Sequence, residues 1–555
     1  MAVAPPGGGV DHGAVTSRPA PNATRGRALS RRSFLGGFAA GALAASGLAG
    51  CAIPKLPDLA GKDPFSLGVA AGEPGPDGFV LWTRLAPEPL WPDPAAPGGL
   101  TTGDIVLRYD IASDPGMRAI VRSGSAVAEA AYAHSVHLEV RGLAPGRTYW
   151  YRFTSGDAQS RIGRAWTAPP VGRPLGQLRF GFVSCANYEH GYFAAYRHLA
   201  DQSPDLVLFL GDYIYEYVER DRPTVRRHSD DVEAATLPTY RNRYAQYRLD
   251  PDLQRLHAET PALITWDDHE VQDDYADRWS KTFDDPAVFL ERRAAAYQAF
   301  YEHMPLRPSR SRPQGPALRL YDRFAYGDLV EFSMLDERQY RAREACARRP
   351  DAGGGHLEFD ALCAERKDPS RSILGAAQEG WLFDGLGRSR AQWNVIAQGV
   401  LMAQLRQRVP IVGTVGHWTD AWDGYPASRD RFLAHVEASR VSNPVVVSGD
   451  IHSFWVNDLK RDFDDPGSPT VATEFVGTSI SSIGPSYSQF MAWMPDNPHV
   501  RYFESRQRGY VFVELTPGHM TAHLRNLSDV RDPQAAVSTL RSYIVESGRP
   551  GAVPA

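Results

Sequence analysis

The sequence predicts an α/β protein whose main body follows a small antiparallel β-sandwich. Three observations carry that reading. Apolar runs without alternation, such as Leu206-Val207-Leu208-Phe209-Leu210, suit strands covered on both faces. From Gln177 onward such runs alternate with helical stretches, the pattern of a parallel sheet flanked by helices. Ahead of them, short β-branched or aromatic runs are separated by Gly and Pro turns, as in antiparallel sandwiches.

The chain has 555 residues, enough for two or three domains. A net charge of -5 gives no basic field for specific nucleic-acid binding. Four cysteines, Cys51, Cys185, Cys346 and Cys363, do not make a disulfide scaffold.

Residues 1–29 are rich in Gly, Pro and Ala and read as a disordered tail. Ser30-Arg31-Arg32-Ser33-Phe34-Leu35 then leads into an apolar, small-residue run to about Gly50. Twin arginines before a mild hydrophobic segment mark a Tat export signal, so the protein is expected outside the cytoplasm. The Tat machinery is then its first partner. Leu48-Ala49-Gly50-Cys51 resembles a lipoprotein box with Cys51 lipidated; cleavage for soluble secretion is the alternative. The run is too short and Gly-rich for a spanning helix.

Residues 62–168 are expected to form the β domain, with strands at Gly78–Arg84, Ile105–Ile111, Val136–Val140 and Thr148–Phe153. The segment Leu143-Ala144-Pro145-Gly146-Arg147-Thr148-Tyr149-Trp150-Tyr151 resembles the tyrosine corner of fibronectin type III and immunoglobulin-like domains. A tyrosine there bonds backbone and has no catalytic part. Trp82 and Trp150 are read as core, and Thr167–Gly176 as a linker. Residues 177–530 are the expected catalytic domain, and 531–555 a C-terminal helix and tail.

In the catalytic domain four apolar strands end in chemistry-bearing residues: Cys185-Ala186-Asn187, Gly211-Asp212-Tyr213-Ile214-Tyr215, Asp267-Asp268-His269-Glu270 and Gly449-Asp450-Ile451-His452. Ligands gather at the carboxyl ends of such strands. Carboxylates can hold two cations close together, and Asp212 is the natural bridge. Cys185, Tyr215 and His452 with Asp212 favour ferric iron; Asp268, Asp450 and Asp274 with Asp212 suit a harder ion such as calcium.

These blocks resemble those of the calcineurin-like metallophosphoesterases, with Asp268 in place of the usual Asn and Cys185-Ala186-Asn187 in place of Asp-x-His. Tyr215 sits as the iron-binding tyrosine of purple acid phosphatases does. The combination is similar to the alkaline phosphatase D (PhoD-type) family. So are Tyr240-Arg241-Asn242-Arg243-Tyr244, Trp418 to Tyr425-Pro426 and Glu474-Phe475-Val476-Gly477-Thr478-Ser479. The resemblance covers nearly the whole chain from residue 30. It implies an αββα sandwich and an Fe3+–Ca2+ centre. It also implies cleavage of phosphate mono- and diesters. Cys185, Asp212, Tyr215 and His452 would be the iron ligands; Asp268 and Asp450 would serve the second site, with Asp267 and Asp274 as further candidates.

The expected mechanism is in-line attack on phosphorus by a water or hydroxide held by the metals, without a protein nucleophile. Arg241 is the expected phosphate clamp, with Arg243 its rival. His269 is placed either to protonate the leaving oxygen or to orient Asp268. Asn187 is expected at the phosphate or the metals.

Pro286–Tyr301 reads as helix, Leu318–Phe332 as strand, and Asp336 with Arg338 as an ion pair. In an oxidising compartment Cys346 and Cys363 are expected to close the insertion Arg341–Arg371. Ser538–Ser547 reads as a helix that could serve as a lid. One alternative is a phospholipase-like phosphodiesterase, with Trp418, Trp422 and Tyr425 beside the cleft. Another is an exported binding protein on an inactive scaffold. A monomer is expected.

Overall fold

The computed structural model describes residues 61–555 apart from 91–92, 283, 348–353 and 410–413. The expected Tat signal and Cys51 lie outside the described residues. Among these, a ten-stranded sheet runs in the order Arg549–Pro554, Val537–Glu546, His519–Leu527, Gly509–Leu515, Leu178–Val183, Leu206–Leu210, Ala262–Thr265, Val69–Gly75, Gly78–Arg84, Ser135–Val140. A seven-stranded sheet faces it, ordered Asp322–Tyr326, Val330–Met334, Trp393–Ala397, Pro444–Ser448, Thr470–Val476, Phe454–Lys460, Val500–Glu504.

Side-chain alternation explains the uninterrupted apolar runs. Leu206, Leu208 and Leu210 enter the core between the sheets, with Phe332, Val445 and Val447 opposite. Val207 and Phe209 point the other way, into a core with Tyr196, Leu256, Tyr297 and Phe300 from outer helices. On the second sheet Val446 likewise turns outward, onto Leu382 and Phe432 of the helices Gly375–Arg388 and Pro426–Ala438. Two buried faces per strand make the αββα sandwich. Truncating a residue such as Leu208, which is fully buried, would cost about 2–5 kcal/mol.

The front of the chain is a sandwich, but one of its sheets is shared. Ile105–Ala112, Ile120–Ala128, Thr148–Ser155, Ala158–Gln159 and Gly163–Trp166 form a separate five-stranded sheet. Its inner residues Leu107, Ile111, Tyr151 and Phe153 pack on Val69, Phe79, Leu81 and Val136. Those partners belong to the last three strands of the ten-stranded sheet, joined to it where Gly72 pairs in parallel with Ala262. The tyrosine corner is present: the Tyr149 hydroxyl donates to the Ala144 carbonyl at 3.2 Å. Trp82 is fully buried, whereas Trp150 is half-buried.

The expected C-terminal helix is a strand. Val537–Glu546 pairs antiparallel with His519–Leu527. Its β-branched residues favour that state, and Tyr543 and Val545 reach the inter-sheet core while exposed or half-buried residues flank them. This stretch is the second strand from the sheet edge, and none of its residues lines the cleft described below, so the lid expectation is corrected. The helix Pro286–His303 and the disulfide between Cys346 and Cys363 form as expected.

Candidate metal centre

Three adjacent strands set the site. Leu206 pairs with Phe180 and Val207 with Ala262, all parallel, so Cys185, Asp212 and Asp268 leave the same edge of one sheet. Asp450 and His452 follow Pro444–Ser448 of the facing sheet. Gly211 permits the closest approach: its φ is 103°, and a Cβ there would lie 2.4 Å from the Cβ of Asp267. Cys185, Asp212, Asp274, Asp450 and His452 all adopt left-handed φ, between 51° and 64°. Such conformations cost about 1–3 kcal/mol each and persist where the surroundings impose them, most often at functional sites.

The donors converge in two neighbouring sets, linked by the pairing of Asp212 with Asp268. Donor atoms of Cys185, Asp212 and His452 lie within 4.8 Å of one another. The Tyr215 hydroxyl joins them, donating to Asp212 Oδ2 at 3.1 Å and lying 2.9 Å from His452 Nε2. His452 Nδ1 is 2.8 Å from the Ile483 carbonyl, which assigns the proton to Nδ1 and leaves Nε2 as a ligand atom. The second set joins Asp267, Asp268 and Asp450, again within 4.8 Å. Asp212 also groups with Asp268 and His269. Asp212 thus stands between both sets, as a bridging carboxylate must.

The electrostatics fit cations. Asp212 Oδ1 and Asp267 Oδ2 are buried without a hydrogen-bond partner among the described residues. Burial, and then the Asp268 charge, pushes the Asp212 carboxyl well up; burial, and then Asp267, does the same to Asp450. Asp274 is raised by burial and by Asp420. Asp268 is held low in spite of burial, by Arg338 and His269. His452 is lowered to about 3 by burial and then Arg508, so its ring is neutral. Burial, then Asp212, raises the Cys185 thiol and the Tyr215 phenol. Crowded, partly unpartnered carboxylates are costly when buried, and bound cations relieve that cost.

A cleft of about 420 Å³ opens over the site, lined by Asp212, Asp268, His269, Asp273, Asp274, Asp423, Asp450 and His452 on its polar side. Leu401, Leu405, Trp418, Phe490 and Trp493 form an apolar wall. No arginine or lysine is among the described lining residues.

Several expectations change accordingly. Arg241 is not at the cleft: its guanidinium is clamped by both oxygens of Glu302, at 2.7 and 2.6 Å. Arg243 is buried behind the Tyr215 loop, donating to the carbonyls of Tyr215 and Tyr217. Asn187 is committed to a turn, with Nδ2 donating to the Tyr217 hydroxyl and Oδ1 accepting from Glu189 N. Asp336 caps backbone N–H groups of Arg338 and Gln339 and does not pair with the Arg338 side chain. Arg338 instead bonds Asp267 and, through two nitrogens, Asp420 at 2.6 and 2.9 Å, with Asp268 3.4 Å away. Trp422 and Tyr425 are buried; Trp418 alone of the three lines the cleft, 41% exposed.

Other supporting residues emerge from tertiary structure. Glu270 accepts from the backbone N–H groups of Asp212, Tyr213 and Asp267, tying two strand ends together. Glu216 bonds His269 Nδ1 at 2.7 Å and accepts from Asp273 N. Asp268, Glu216 and Asp212 hold the His269 ring charged against the effect of burial. Ser482 bonds both the Tyr215 hydroxyl, at 2.8 Å, and the Cys185 carbonyl. Glu270 lies inside one of the strand-end blocks and Glu216 directly follows Tyr215, but Ser482 has no local signal.

Known proteins share this chain's sequence and fold. Residues 180–524 match the family model "PhoD-like phosphatase", and residues 50–169 match its N-terminal domain. The chain is 42% identical to alkaline phosphatase D of Bacillus subtilis over 498 residues, covering 88% of this chain and 82% of that protein. A solved structure titled "Structure of PhoD" superposes with a TM-score of 0.83 at 41% identity, covering 89% of this chain and 92% of the other. The chain belongs to the PhoD-like phosphatase family and is a phosphoester hydrolase.

Proposed function

We propose that the protein hydrolyses phosphate mono- and diesters at a two-cation centre holding Fe3+ and Ca2+. Cys185, Asp212, Tyr215 and His452 would hold the ferric ion. Asp212, Asp268 and Asp450, with Asp267 and Asp274 beside them, would hold calcium. The observation that carries the reading is the position of Asp212 between a thiol–phenol–imidazole set and an all-carboxylate set. Sulfur and nitrogen donors suit a transition metal, and oxygen donors a hard one.

When bound, the cations supply positive charge for the phosphate and acidify the attacking water. The chain favours this, because among the described residues its cleft offers a substrate anion carboxylates and no arginine or lysine. His269, fixed by Glu216 through Nδ1, keeps Nε2 for proton delivery to the leaving oxygen. The decisive test is metal analysis with kinetics on Cys185→Ala and His452→Ala. The reading requires lost iron and lost hydrolysis; full iron and full activity in both would overturn it.

The apolar wall favours a second substrate reading, a diester with a large apolar group such as a phospholipid. Comparing a phosphomonoester, a nucleic-acid diester and phosphatidylcholine on one preparation separates these. The twin-arginine segment supports export, with lipidation at Cys51 or soluble release. Retention of an Arg31→Lys, Arg32→Lys double variant in the cytoplasm is expected.

A further inference from the structure

The disulfide-closed insertion does more than decorate the surface. The Cys346–Cys363 bridge closes a loop with a sequence separation of 17 that contains Gly354, Gly355 and the strand Leu357–Phe359. Gly355 N donates to Asp274 Oδ2 at 2.8 Å. Gly354 packs against the same side chain: its φ is 77°, and a Cβ there would lie 2.6 Å from Asp274 Cβ. From the other side Asp274 N donates to Asp268 Oδ2 at 2.6 Å. Leu357–Phe359 pairs antiparallel with Thr414–Trp418, placing Trp418 at the cleft. His356 and Thr419 exchange backbone and hydroxyl hydrogen bonds next to Asp420, the partner of Arg338.

We propose that this bridged insertion is a positioning device for the calcium half of the centre, fixing Asp274 through Gly354 and Gly355. Asp274 sits at left-handed φ, a conformation that the local chain does not favour, and the insertion supplies a tertiary contact against it. Closing the loop removes conformational freedom that Gly354 and Gly355 would otherwise have. The iron-type donors have no such dependence: Cys185, Tyr215 and His452 are held by Ser482, Ile483 and the strand ends.

The inference rests on Asp274 serving the second cation, so the test separates the two claims. Calcium affinity is measured by calorimetry on iron-loaded protein for Asp274→Ala, Gly354→Ala and the double variant Cys346→Ser, Cys363→Ser. Iron content and the visible tyrosinate–iron absorption are followed alongside. The expected result is calcium affinity weakened about 10–100-fold in Gly354→Ala and the cysteine variant, the range for partners behind a ligand, and at least as much in Asp274→Ala, with the absorption band unchanged. Weakening in Asp274→Ala together with native affinity in both Gly354→Ala and the cysteine variant would overturn the positioning role and spare the ligand assignment. Native affinity in Asp274→Ala would overturn both. Melting temperature, read in parallel, separates lost stability from lost affinity.

Discussion

The two halves of the centre meet at Asp212 but follow opposite electrostatic plans. In the Cys185–Tyr215–His452 half, burial keeps every donor uncharged: thiol and phenol are pushed up, and the imidazole is lowered to about 3. The carboxylate half crowds acidic groups, with Asp450 and Asp274 pushed up by burial and Asp268 held low, and it carries its own counter-charges. Arg338 bonds Asp267 and Asp420, Lys281 pairs with Asp273, and Glu216 fixes a charged His269. The neutral half can wait for a metal at little electrostatic cost, but must release protons to bind one. In the carboxylate half Arg338 is a built-in cation, paired with Asp267, Asp268 and Asp420 before any metal arrives. The difference teaches that one guanidinium, not the expected clamp Arg241, bears on the stability of the site.

The largest effect should come from removing that counter-charge. Arg338→Met takes the guanidinium from Asp267 and Asp268, while Asp420 keeps Arg341, and is expected to cost about 3–5 kcal/mol in urea unfolding of the metal-free protein. A loss under about 1 kcal/mol would break the contrast. Next, Cys185→Ala and His452→Ala should fold nearly normally, because their donors are neutral. They should lose more than about 100-fold in kcat/KM, since even residues behind a ligand cost 10–100-fold. Third, chelation of calcium should lower thermal stability by about 1.4 kcal/mol when calcium had stood at tenfold its Kd. Readdition should restore both stability and hydrolysis.

The smallest effect concerns a buried carboxylate outside the centre. Glu73 is raised to about 7 by burial, which outweighs the Arg307 charge beside it. Its folded pKa lies above its unfolded value, so its contribution is fully present below about pH 4.5 and is lost as pH rises through about 7. Glu73→Gln should flatten the fall in melting temperature across that window. An unchanged slope would show that one arginine suffices to compensate a lone carboxylate.

Strand composition made the αββα body legible, because Leu206–Leu210 and Val445–Val447 are apolar on both faces and end in Gly-Asp. The convergence of the four strand-end blocks was legible for the same reason: a parallel strand delivers its next residue to a known edge. Val537–Glu546 misled because its apolar spacing is ambiguous, and pairing with His519–Leu527 decided it. Arg241 misled because a residue type suited to phosphate is equally suited to Glu302 across a helix pair.

The sequence by itself determined the layers, the order of the strand ends and the residues that gather at them, since burial pattern and residue chemistry are local properties. Tertiary structure alone decided which arginine neutralises the carboxylates, how the front sandwich joins the main sheet at Gly72, and where the bridged insertion touches Asp274. Those outcomes depend on contacts between residues far apart in the chain, and no period or propensity encodes the partner of a buried charge.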